Sequence, residues 1–404
     1  MTDASAAADR PLDGLRVLEL GQLMAGPFAG TILGTFGAEV IKVEPPGGDP
    51  IRTWRVLDQG TSLWWRSLGR NKKCLSIDLK QEAGRALVRR LAARSDVLIE
   101  NFRPGTLEAW GLDPADLERE NPGLIVARVS GYGQTGPNAH RPGFASVCEA
   151  YGGLRYVTGH SGELPVRANL SIGDSIAGLH AALGILLALQ ERAKPGGEGR
   201  GQTIDLAIFE AVYNLMEAVV PEYDRAGVVR EPSGIALTGV VPTNIYRCRD
   251  GRIVVIGGSG NSIFQRLMHA IGRPDLATDP GLGSNEGRMA RETEIDAALA
   301  AWAVTLPSTE VLAILEAAAV PSGPIHSVAD MFADPHYRAR GLFEQVEVGG
   351  RPLALPAIAP KLSKTPGRTD WPGPEIGAHT EEVLSEVLGL NRKEIAALRA
   401  AGVV

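Results

Sequence analysis

The sequence is poor in cysteine and in aromatic residues, and it shows no uninterrupted apolar run of membrane length. Among 404 residues there are only three cysteines, which lie far apart and predict neither a disulfide framework nor a paired metal site. Aromatic residues make up 5% of the chain while glycine occurs 49 times, which favours tight turns over aromatic stacking surfaces. Positions 1–10 hold no basic segment followed by an apolar core, so we expect neither export nor a membrane span and place the protein in the cytoplasm.

Charge of one sign does not dominate the chain either. The 41 basic and 47 acidic residues leave a net charge of −6 at pH 7, and they form no basic block of the kind that follows a phosphate backbone. Nucleic acid is therefore not an expected partner. His326, His336 and His379 lack metal-ligand spacing, so we expect no metal site and assign these histidines no catalytic role.

The first part of the chain alternates short apolar strands with turn residues. Residues 15–20 predict a strand, glycines follow, a helix extends to Gly37, and residues 40–43 predict a second strand. Such a unit builds a parallel sheet, and ligands gather at the carboxyl ends of its strands. Glu44 ends the second strand as in some dinucleotide sites, but the glycines do not follow G-x-G-x-x-G, which disfavours nicotinamide binding. The predicted fold class is α/β with a large Rossmann-like parallel-sheet domain.

Two later strands lead into loops that carry glycine and charge. Residues 96–100 predict a strand followed by loop 101–105, and residues 124–129 predict another followed by loop 130–137. Four basic residues are grouped near the first loop in the predicted sheet: Lys72, Lys73, Lys80 and Arg103. Any one of them is by itself an ordinary solvated charge, but the group suits a ligand that carries several phosphates.

An irregular stretch rich in proline and glycine, residues 221–242, predicts a linker to a smaller α/β domain. In that domain a strand over 252–256 precedes a glycine-rich loop. The loop lacks a following Lys-Ser or Lys-Thr pair, so it is not a P-loop. We predict three segments: a large domain over 1–225, a small domain over 226–330, and a return to the large domain over 331–404.

A single carboxylate, Asp174, stands at the start of an apolar helix. From there to Leu189 apolar residues recur at spacings of three and four with small residues between them, which predicts a buried helix. An acidic residue at a helix N-terminus is usually structural, because it satisfies backbone N–H groups and the helix dipole favours its charge. The residues alone therefore leave two interpretations of Asp174 open, a helix cap and a catalytic carboxylate.

The pattern Gly173-Asp174 with Gly178, followed by the run over 199–207, resembles the class III CoA-transferases, the family of formyl-CoA and carnitine CoA-transferases. The likeness keeps the right order and spacing from about Leu12 to the C-terminal region. It implies that Asp174 is the catalytic nucleophile and that CoA is bound as a substrate, with no permanently bound cofactor. It also implies a homodimer whose two subunits interlock as linked rings.

The resemblance further implies a set of ligand contacts. The implied CoA contacts are Leu23, Met24, Ala25, Ile77, Asp78, Leu79, Lys80, Asn101, Phe102, Arg103, Arg141, Phe144 and Ala145. A mobile flap over the aspartate is implied at Gly257, Gly258, Ser259 and Gly260. Some relatives carry glutamine at the position of Met24 and arginine at that of Ala109, so contacts at these two points are redistributed here. The α-methylacyl-CoA racemase branch has proton-transfer residues around 143–146, where this chain has Gly-Phe-Ala-Ser and thus lacks the second base.

In the implied mechanism Asp174 forms a mixed anhydride with the donor acyl group and then carries CoA as a β-aspartyl thioester. The first turns of its helix are a candidate source of oxyanion donors. Segments 221–230 and 241–246 resemble the branch that moves CoA from succinyl-CoA to small dicarboxylates such as citramalate or malate. Candidate cations for the distal carboxylate are Arg141, Arg167, Arg225 and Arg230. A racemase-type isomerase and a non-catalytic CoA-binding subunit of a hetero-oligomer stay open as alternatives.

Overall fold

The structure, a computed structural model, describes residues 10–196 and 198–404. Positions 1–9, on which the prediction of no export signal rests, lie outside the described residues. The chain divides into two compact units: the first runs up to Leu154 and includes Ala168–Glu217 and Ala339–Val404, and the second comprises Arg155–Arg167 and Ala218–Arg338. The sequence pattern predicts boundaries at 225 and 330, whereas the units change at 217 and 338.

The described residues form thirteen strands, and most of those in the first unit belong to one sheet. The strands are β1 (Arg16–Glu19), β2 (Glu39–Glu44), β3 (Leu57–Asp58), β4 (Thr61–Ser62), β5 (Lys72–Ser76), β6 (Val97–Glu100), β7 (Ile125–Ser130), β8 (Thr203–Ala207), β9 (Thr243–Arg247), β10 (Ile253–Gly257), β11 (Ser322–Pro324), β12 (Phe343–Val348) and β13 (Arg351–Pro356).

Eighteen α-helices and two 3₁₀ turns, Pro50–Thr53 and Pro280–Leu282, complete the described elements. The helices are α1 (Ala25–Thr35), α2 (Leu63–Leu68), α3 (Glu82–Ala92), α4 (Thr106–Ala109), α5 (Pro114–Glu120), α6 (Ala145–Tyr151), α7 (Ile172–Arg192), α8 (Ile208–Tyr213), α9 (Val219–Ala226), α10 (Asn261–Ala270), α11 (Pro274–Ala277), α12 (Asn285–Ala290), α13 (Glu292–Ala303), α14 (Ser308–Ala317), α15 (Val328–Ala333), α16 (Pro335–Ala339), α17 (Thr380–Glu386) and α18 (Arg392–Ala400).

The first unit is built on a six-stranded sheet in the order β5-β2-β1-β6-β7-β8, in which every neighbouring pair is parallel. Leu18 of β1 lies in register with Ile41 of β2 and Leu98 of β6, and all three side chains are fully buried. The chain extends the sheet in one direction through β5 and then in the other from β6. The strand order therefore reverses between β1 and β6, and a crevice opens beyond their carboxyl ends. This sheet confirms the predicted α/β class.

Two apolar layers cover the faces of this sheet. One contains leucines and valines of α3, α17 and the C-terminal segment, and the other contains residues of α1, α7 and α8. Helix α3 carries Glu82 in its first turn and Arg89 and Arg90 in its last, an arrangement that matches the helix dipole. The layers explain why the central strands are apolar on both sides: neither face of the sheet is left to solvent.

Helix α7 is buried along one side only, which differs from the predicted buried helix. Its buried side chains are mostly small: Ala177, Ala181, Ala182, Ile185 and Ala188. Its leucines are about half exposed, with 53% at Leu179, 54% at Leu183 and 62% at Leu187. A Cβ added at Gly178 would lie 2.8 Å from the carbonyl oxygen of Ala25 in α1. Small residues let α7 approach α1 closely, and this packing turns the leucines outward.

Helix α7 is long and apolar enough to meet the criteria for a membrane-spanning helix. Helices α13 and α14 meet these criteria only when they are taken together, and they are bent by 119° relative to each other. A core helix of a globular domain meets the same criteria. Since α7 contributes to the apolar layer on the sheet of the first unit, core packing accounts for its composition.

The second unit has its own three-stranded antiparallel sheet in the order β11-β10-β9. Its core includes side chains of α10, α13 and α14. The predicted flap comprises Gly257, the last residue of β10, and the turn that leads from it to α10. Hydrogen bonds fix this turn to other residues of the second unit. The Gly258 amide donates to the Pro242 carbonyl at 2.8 Å, and the buried Arg288 donates to the Ser259 carbonyl at 2.5 Å.

Candidate active site

A pocket of about 300 Å³ lies in the first unit at the carboxyl ends of β1, β6 and β7. This is the crevice created by the reversal of strand order, where open parallel sheets bind their ligands. Nine residues predicted as site residues line it: Leu23, Met24, Ala25, Asn101, Phe102, Arg103, Arg141, Phe144 and Asp174. The topology thus brings together side chains from four separate stretches of the chain.

Five other predicted contacts do not line this pocket. Ile77, Asp78, Leu79 and Lys80 follow β5 at the edge of the sheet, and Ala145 is buried in the first turn of α6. The Asp78 amide donates to the Val403 carbonyl at 2.9 Å, and the carboxylate of Asp78 accepts from the Lys80 amide at 3.0 Å. The segment is therefore a turn held against the C-terminus of the chain.

Asp174 is the third residue of α7, not its N-cap. The N-cap residue is Ser171, whose side chain makes no capping hydrogen bond. The Gly173 amide instead donates to Oε1 of Glu149, a residue of α6, at 3.0 Å. A carboxylate from another helix therefore satisfies one of the first amides of α7, and the helix dipole favours a negative charge at Asp174.

The pocket wall formed by Gln22–Ala25 is held by side chains on both sides. The Asn101 side chain accepts from the Gln22 amide and donates to the Gln22 carbonyl, both at 2.7 Å. The Asp49 carboxylate accepts from the Leu23 amide at 3.1 Å. Leu23 has φ of +62°, a left-handed conformation that is costly for a residue with a side chain. These contacts stabilise that conformation and use both polar groups of Asn101.

Four fully buried charged residues lie behind this wall: Glu19, Lys42, Asp49 and Lys72. Lys42 Nζ lies 3.0 Å from Asp49 and 3.3 Å from Glu19, and it also donates to the Gly21 carbonyl. Lys72 Nζ lies 2.8 Å from Glu19 and donates to the Pro27 carbonyl at 2.6 Å. The two ammonium groups therefore hold the backbone at both ends of the segment that lines the pocket.

The pKa values of the two buried lysines are shifted in opposite directions. Desolvation alone lowers the pKa of Lys42, but the nearby carboxylates of Asp49, Glu19 and Glu44 outweigh it and hold that pKa above its usual value. The pKa of Lys72 is lowered, because burial exceeds the attraction of Glu19. The interpretation of Lys72 as an ordinary solvated charge is wrong: it is a fully buried ion-pair partner, and it does not belong to a surface phosphate cluster.

Glu44 has no free carboxylate to offer a dinucleotide ribose. It is fully buried, and its oxygens accept from the guanidinium of Arg52 at 2.6 and 2.7 Å. One of them also accepts from the Asp49 amide at 3.0 Å. These contacts agree with the absence of the dinucleotide glycine pattern.

Two arginines border the pocket, and both are exposed: Arg103, which follows β6, and Arg141, which precedes α6. In the described part of the chain neither guanidinium is engaged by a hydrogen bond or an ion pair. The other predicted cations all lie in the second unit, where Arg230 is paired with Glu222 at 2.6 Å. Of the four candidates for a distal carboxylate, only Arg141 lines the pocket that contains Asp174.

Residues that sequence reasoning missed fall into two groups. Eight further residues line the pocket: Gln22, Pro104, Val129, Ser130, Gly131, Pro142, Gly143 and Ile208. Most of these follow predicted strands, so the position after a strand end was the available signal. The second group consists of buried residues that support the pocket. A charged residue inside an apolar strand, such as Glu19 or Lys42, is the sequence signal for this group.

Among residues 10–196 and 198–404 no cluster of three or more histidine, cysteine or acidic side chains offers a metal site.

The fold and the pocket define a parallel α/β protein with a carboxylate at the sheet's switch point and two arginines at the pocket margin. Residues 12–380 match the family model for CoA-transferase family III, and the chain belongs to that family. It is an enzyme of the CoA-transferase type, which confirms the predicted family and enzyme class.

Two relatives and one solved structure show how far the likeness extends. The chain is 46% identical over 406 residues to succinyl-CoA–D-citramalate CoA-transferase of Chloroflexus aurantiacus, covering 99% of this chain and 100% of the relative. It is 42% identical over 408 residues to the alpha subunit of succinyl-CoA–L-malate CoA-transferase of Chloroflexus aurantiacus, covering 100% and 95%. The crystal structure of a CAIB/BAIF family protein from Brucella suis superimposes with a TM-score of 0.81 at 33% identity, covering 94% and 100%.

Proposed function

We propose that this protein transfers CoA from succinyl-CoA to a small dicarboxylic acid, with Asp174 as the nucleophile. The observation that carries the proposal is the placement of Asp174 in a pocket at the sheet's switch point, in a chain of the CoA-transferase family. The substrate class rests on relatives that are named for D-citramalate and L-malate.

The reaction follows from a carboxylate and a thioester. An oxygen of Asp174 attacks the succinyl thioester carbonyl and expels CoA thiolate, which leaves a mixed anhydride of succinate and Asp174. The thiolate then attacks the aspartyl carbonyl of that anhydride, which releases succinate and forms the β-aspartyl-CoA thioester. The acceptor carboxylate displaces the thiolate to give a second anhydride, and the thiolate attacks its acceptor carbonyl. Product CoA ester and the free carboxylate of Asp174 result, and no step needs a proton donor.

Two physical demands accompany this chemistry, exclusion of water and stabilisation of each oxyanion. The Gly173 amide already donates to Glu149, so it is not an oxyanion donor, and other backbone amides of the pocket wall must serve. We assign water exclusion to the loop Gly257–Gly260. In a Gly260→Ala variant, hydrolysis of succinyl-CoA should rise relative to transfer; an unchanged ratio would remove the loop from the mechanism.

Arg141 is proposed to bind the distal carboxylate of donor and acceptor, and Arg103 to bind CoA phosphate together with the turn Ile77–Lys80. Loss of a charge-assisted hydrogen bond of this kind costs about 1.5–3 kcal/mol, or roughly 10- to 100-fold in binding. An Arg141→Ala variant should therefore raise KM for succinyl-CoA but not for butyryl-CoA, which has no distal charge. Arg103→Ala should raise both equally. The reverse pattern would exchange the two assignments.

The protein is proposed to act as an interlocked homodimer in the cytoplasm. The half-exposed leucines of α7 support an apolar interface there. Light scattering should give twice the 42.7 kDa chain mass. Because one relative is named an alpha subunit, activity of the purified single chain is the control that separates a homo-oligomer from a chain that needs a different partner subunit.

Intact-protein mass spectrometry tests the central step. Mixing the protein with succinyl-CoA should add the mass of CoA to wild type and nothing to Asp174→Ala, and hydroxylamine should convert the adduct to a hydroxamate. If wild type gains no CoA from a series of acyl-CoA donors, the proposal fails and Asp174 is a structural residue.

A further inference from the structure

A second carboxylate, that of Glu149, lies against the turn that carries Asp174. Glu149 is a residue of α6, and only 3% of it is exposed. Its Oε1 accepts a hydrogen bond from the Gly173 amide at 3.0 Å. The hydrogen bond joins α6 to α7 through two residues that are 24 positions apart in sequence. Its donor, Gly173, immediately precedes Asp174.

The packing around this contact leaves little room for the turn to move. A Cβ placed on Gly173 would lie 3.1 Å from Cγ of Glu149 and 3.4 Å from the Ala145 carbonyl oxygen. The glycine therefore lets the carboxylate come within hydrogen-bond distance of the backbone. Ser171, the N-cap of α7, makes no side-chain capping bond, so Glu149 performs from another helix the task that an N-cap side chain usually performs.

The neighbouring thiol is a second sign that both carboxylates face the same small region. Cys148 is fully buried next to Glu149, and its Sγ lies 3.3 Å from the Gly131 carbonyl of the pocket wall. Burial, together with the negative charges of Asp174 and Glu149, raises the pKa of this thiol to about 12. Cys148 is therefore a neutral packing residue between the pocket wall and the two acids.

We infer that Glu149 is a positioning residue for the transfer reaction: by accepting the Gly173 hydrogen bond it fixes the first turn of α7 and with it the line of attack of Asp174. This inference rests on the proposed function of Asp174. It assigns no contact between Glu149 and the substrate. A displacement of about 1 Å at a reacting group costs on the order of 100-fold in rate, so a side chain that holds this turn has a large effect on catalysis.

Two variants separate the hydrogen bond from the charge. Glu149→Gln keeps an acceptor oxygen of the same reach and removes the charge. Glu149→Asp keeps the charge and withdraws the acceptor by about one C–C bond, roughly 1.5 Å. We expect the rate of CoA adduct formation on Asp174 to stay within about 3-fold of wild type in the glutamine variant and to fall about 10- to 100-fold in the aspartate variant. KM for succinyl-CoA should change little in either, since the pocket walls are unaltered.

Hydrogen exchange gives a readout that does not depend on activity. Amide exchange in a peptide covering residues 170–178 should rise about 10-fold or more in Glu149→Asp and remain at the wild-type level in Glu149→Gln. Asp250→Ala is the matched control, because Asp250 caps α14 of the second unit by accepting from the Ser308 amide at 3.0 Å. It should lower stability without slowing adduct formation.

The outcomes distinguish the inference from the function on which it rests. Equal adduct rates in wild type and Glu149→Asp, or equal slowing in both Glu149 variants, would overturn the positioning role. If wild type itself forms no adduct, the proposed function fails. The exchange data then decide the inference: unchanged protection in Glu149→Asp overturns it, and lost protection in that variant alone supports it.

Discussion

Replacing Glu19 by alanine removes the carboxylate that joins Lys42 and Lys72 inside the first unit. Its oxygens lie 2.8 Å from Lys72 Nζ and 3.3 Å from Lys42 Nζ, and all three side chains are fully buried. In the parallel register Glu19 is opposite Lys42, so the sheet itself sets this pairing. The variant leaves a buried ammonium group without its counter-charge.

The expected loss of stability in Glu19→Ala depends on which of the two lysines is left without a carboxylate. Among the residues that the structure describes, Lys42 keeps Asp49 at 3.0 Å, whereas Lys72 keeps no carboxylate and retains the Pro27 carbonyl at 2.6 Å. Removal of one member of a buried pair costs about 3–5 kcal/mol. We expect a loss in this range in the free energy of unfolding of the first unit. Because Lys72 also holds the end of the pocket wall, kcat should fall with it.

Denaturant unfolding followed by tryptophan fluorescence measures this loss. Five of the six tryptophans lie in the first unit, so the signal reports mainly on that unit. Glu382→Ala is the matched control: Glu382 pairs with the adjacent Lys73 at 2.7 Å, but the side chains are 39% and 22% exposed. An exposed pair of this kind contributes about 0–1 kcal/mol.

A double variant, Glu19→Leu with Lys72→Met, tests the reasoning from the other side. Apolar residues of similar volume often replace a buried ion pair at no net cost, so the double variant should recover much of the stability that Glu19→Ala loses. If Glu19→Ala destabilises no more than Glu382→Ala, the buried charges do not stabilise the pocket wall and the reasoning is wrong.

Two further predictions concern helix packing and pH. Gly178→Ala should destabilise by about 1–3 kcal/mol and lower kcat, because the new Cβ would lie 2.8 Å from the Ala25 carbonyl; Gly184→Ala, whose nearest contact is a side-chain methyl at 3.3 Å, should be neutral or stabilising in a thermal melt. Burial chiefly lowers the pKa of His379, whose Nδ1 accepts from the Cys74 amide at 3.2 Å. The folded protein therefore binds a proton on His379 less readily than the unfolded chain does. The contribution of the neutral imidazole to stability is fully present above about pH 6.5 and is lost as the pH falls through the folded pKa. Between about pH 7.5 and 5.5, unfolding midpoints of wild type should drop more than those of His379→Gln; equal drops would contradict the assignment.

Periodicity and turn residues were sufficient to predict the parallel sheet. The predicted strands 15–20, 40–43, 96–100 and 124–129 each coincide with an observed strand within about one residue at either end. Strands that are apolar on both sides and separated by helices have few arrangements other than a parallel sheet. The loops after these strands therefore had to meet at one edge, which is why so many predicted residues line one pocket.

The supporting residues were not predictable in the same way. Lys72 has the sequence context of a surface charge, and Glu149 has that of an ordinary helix residue. Their roles come from partners 53 and 24 positions away. No local pattern carries such a pairing, because it depends on strand register and on how two helices cross.

The sequence by itself determined the α/β class, the family and the helix that begins beside Asp174, since periodicity, glycine placement and motif spacing are local properties of the chain. Only the tertiary structure decided that Asn101 and Asp49 hold the pocket wall, that Glu149 caps the turn before Asp174, and that Arg141 alone among four candidate cations lines the pocket. The first two depend on groups from distant segments meeting within about 3 Å, the range of a hydrogen bond, and the third depends on which loop reaches the pocket. All three are set by the packing of the whole unit.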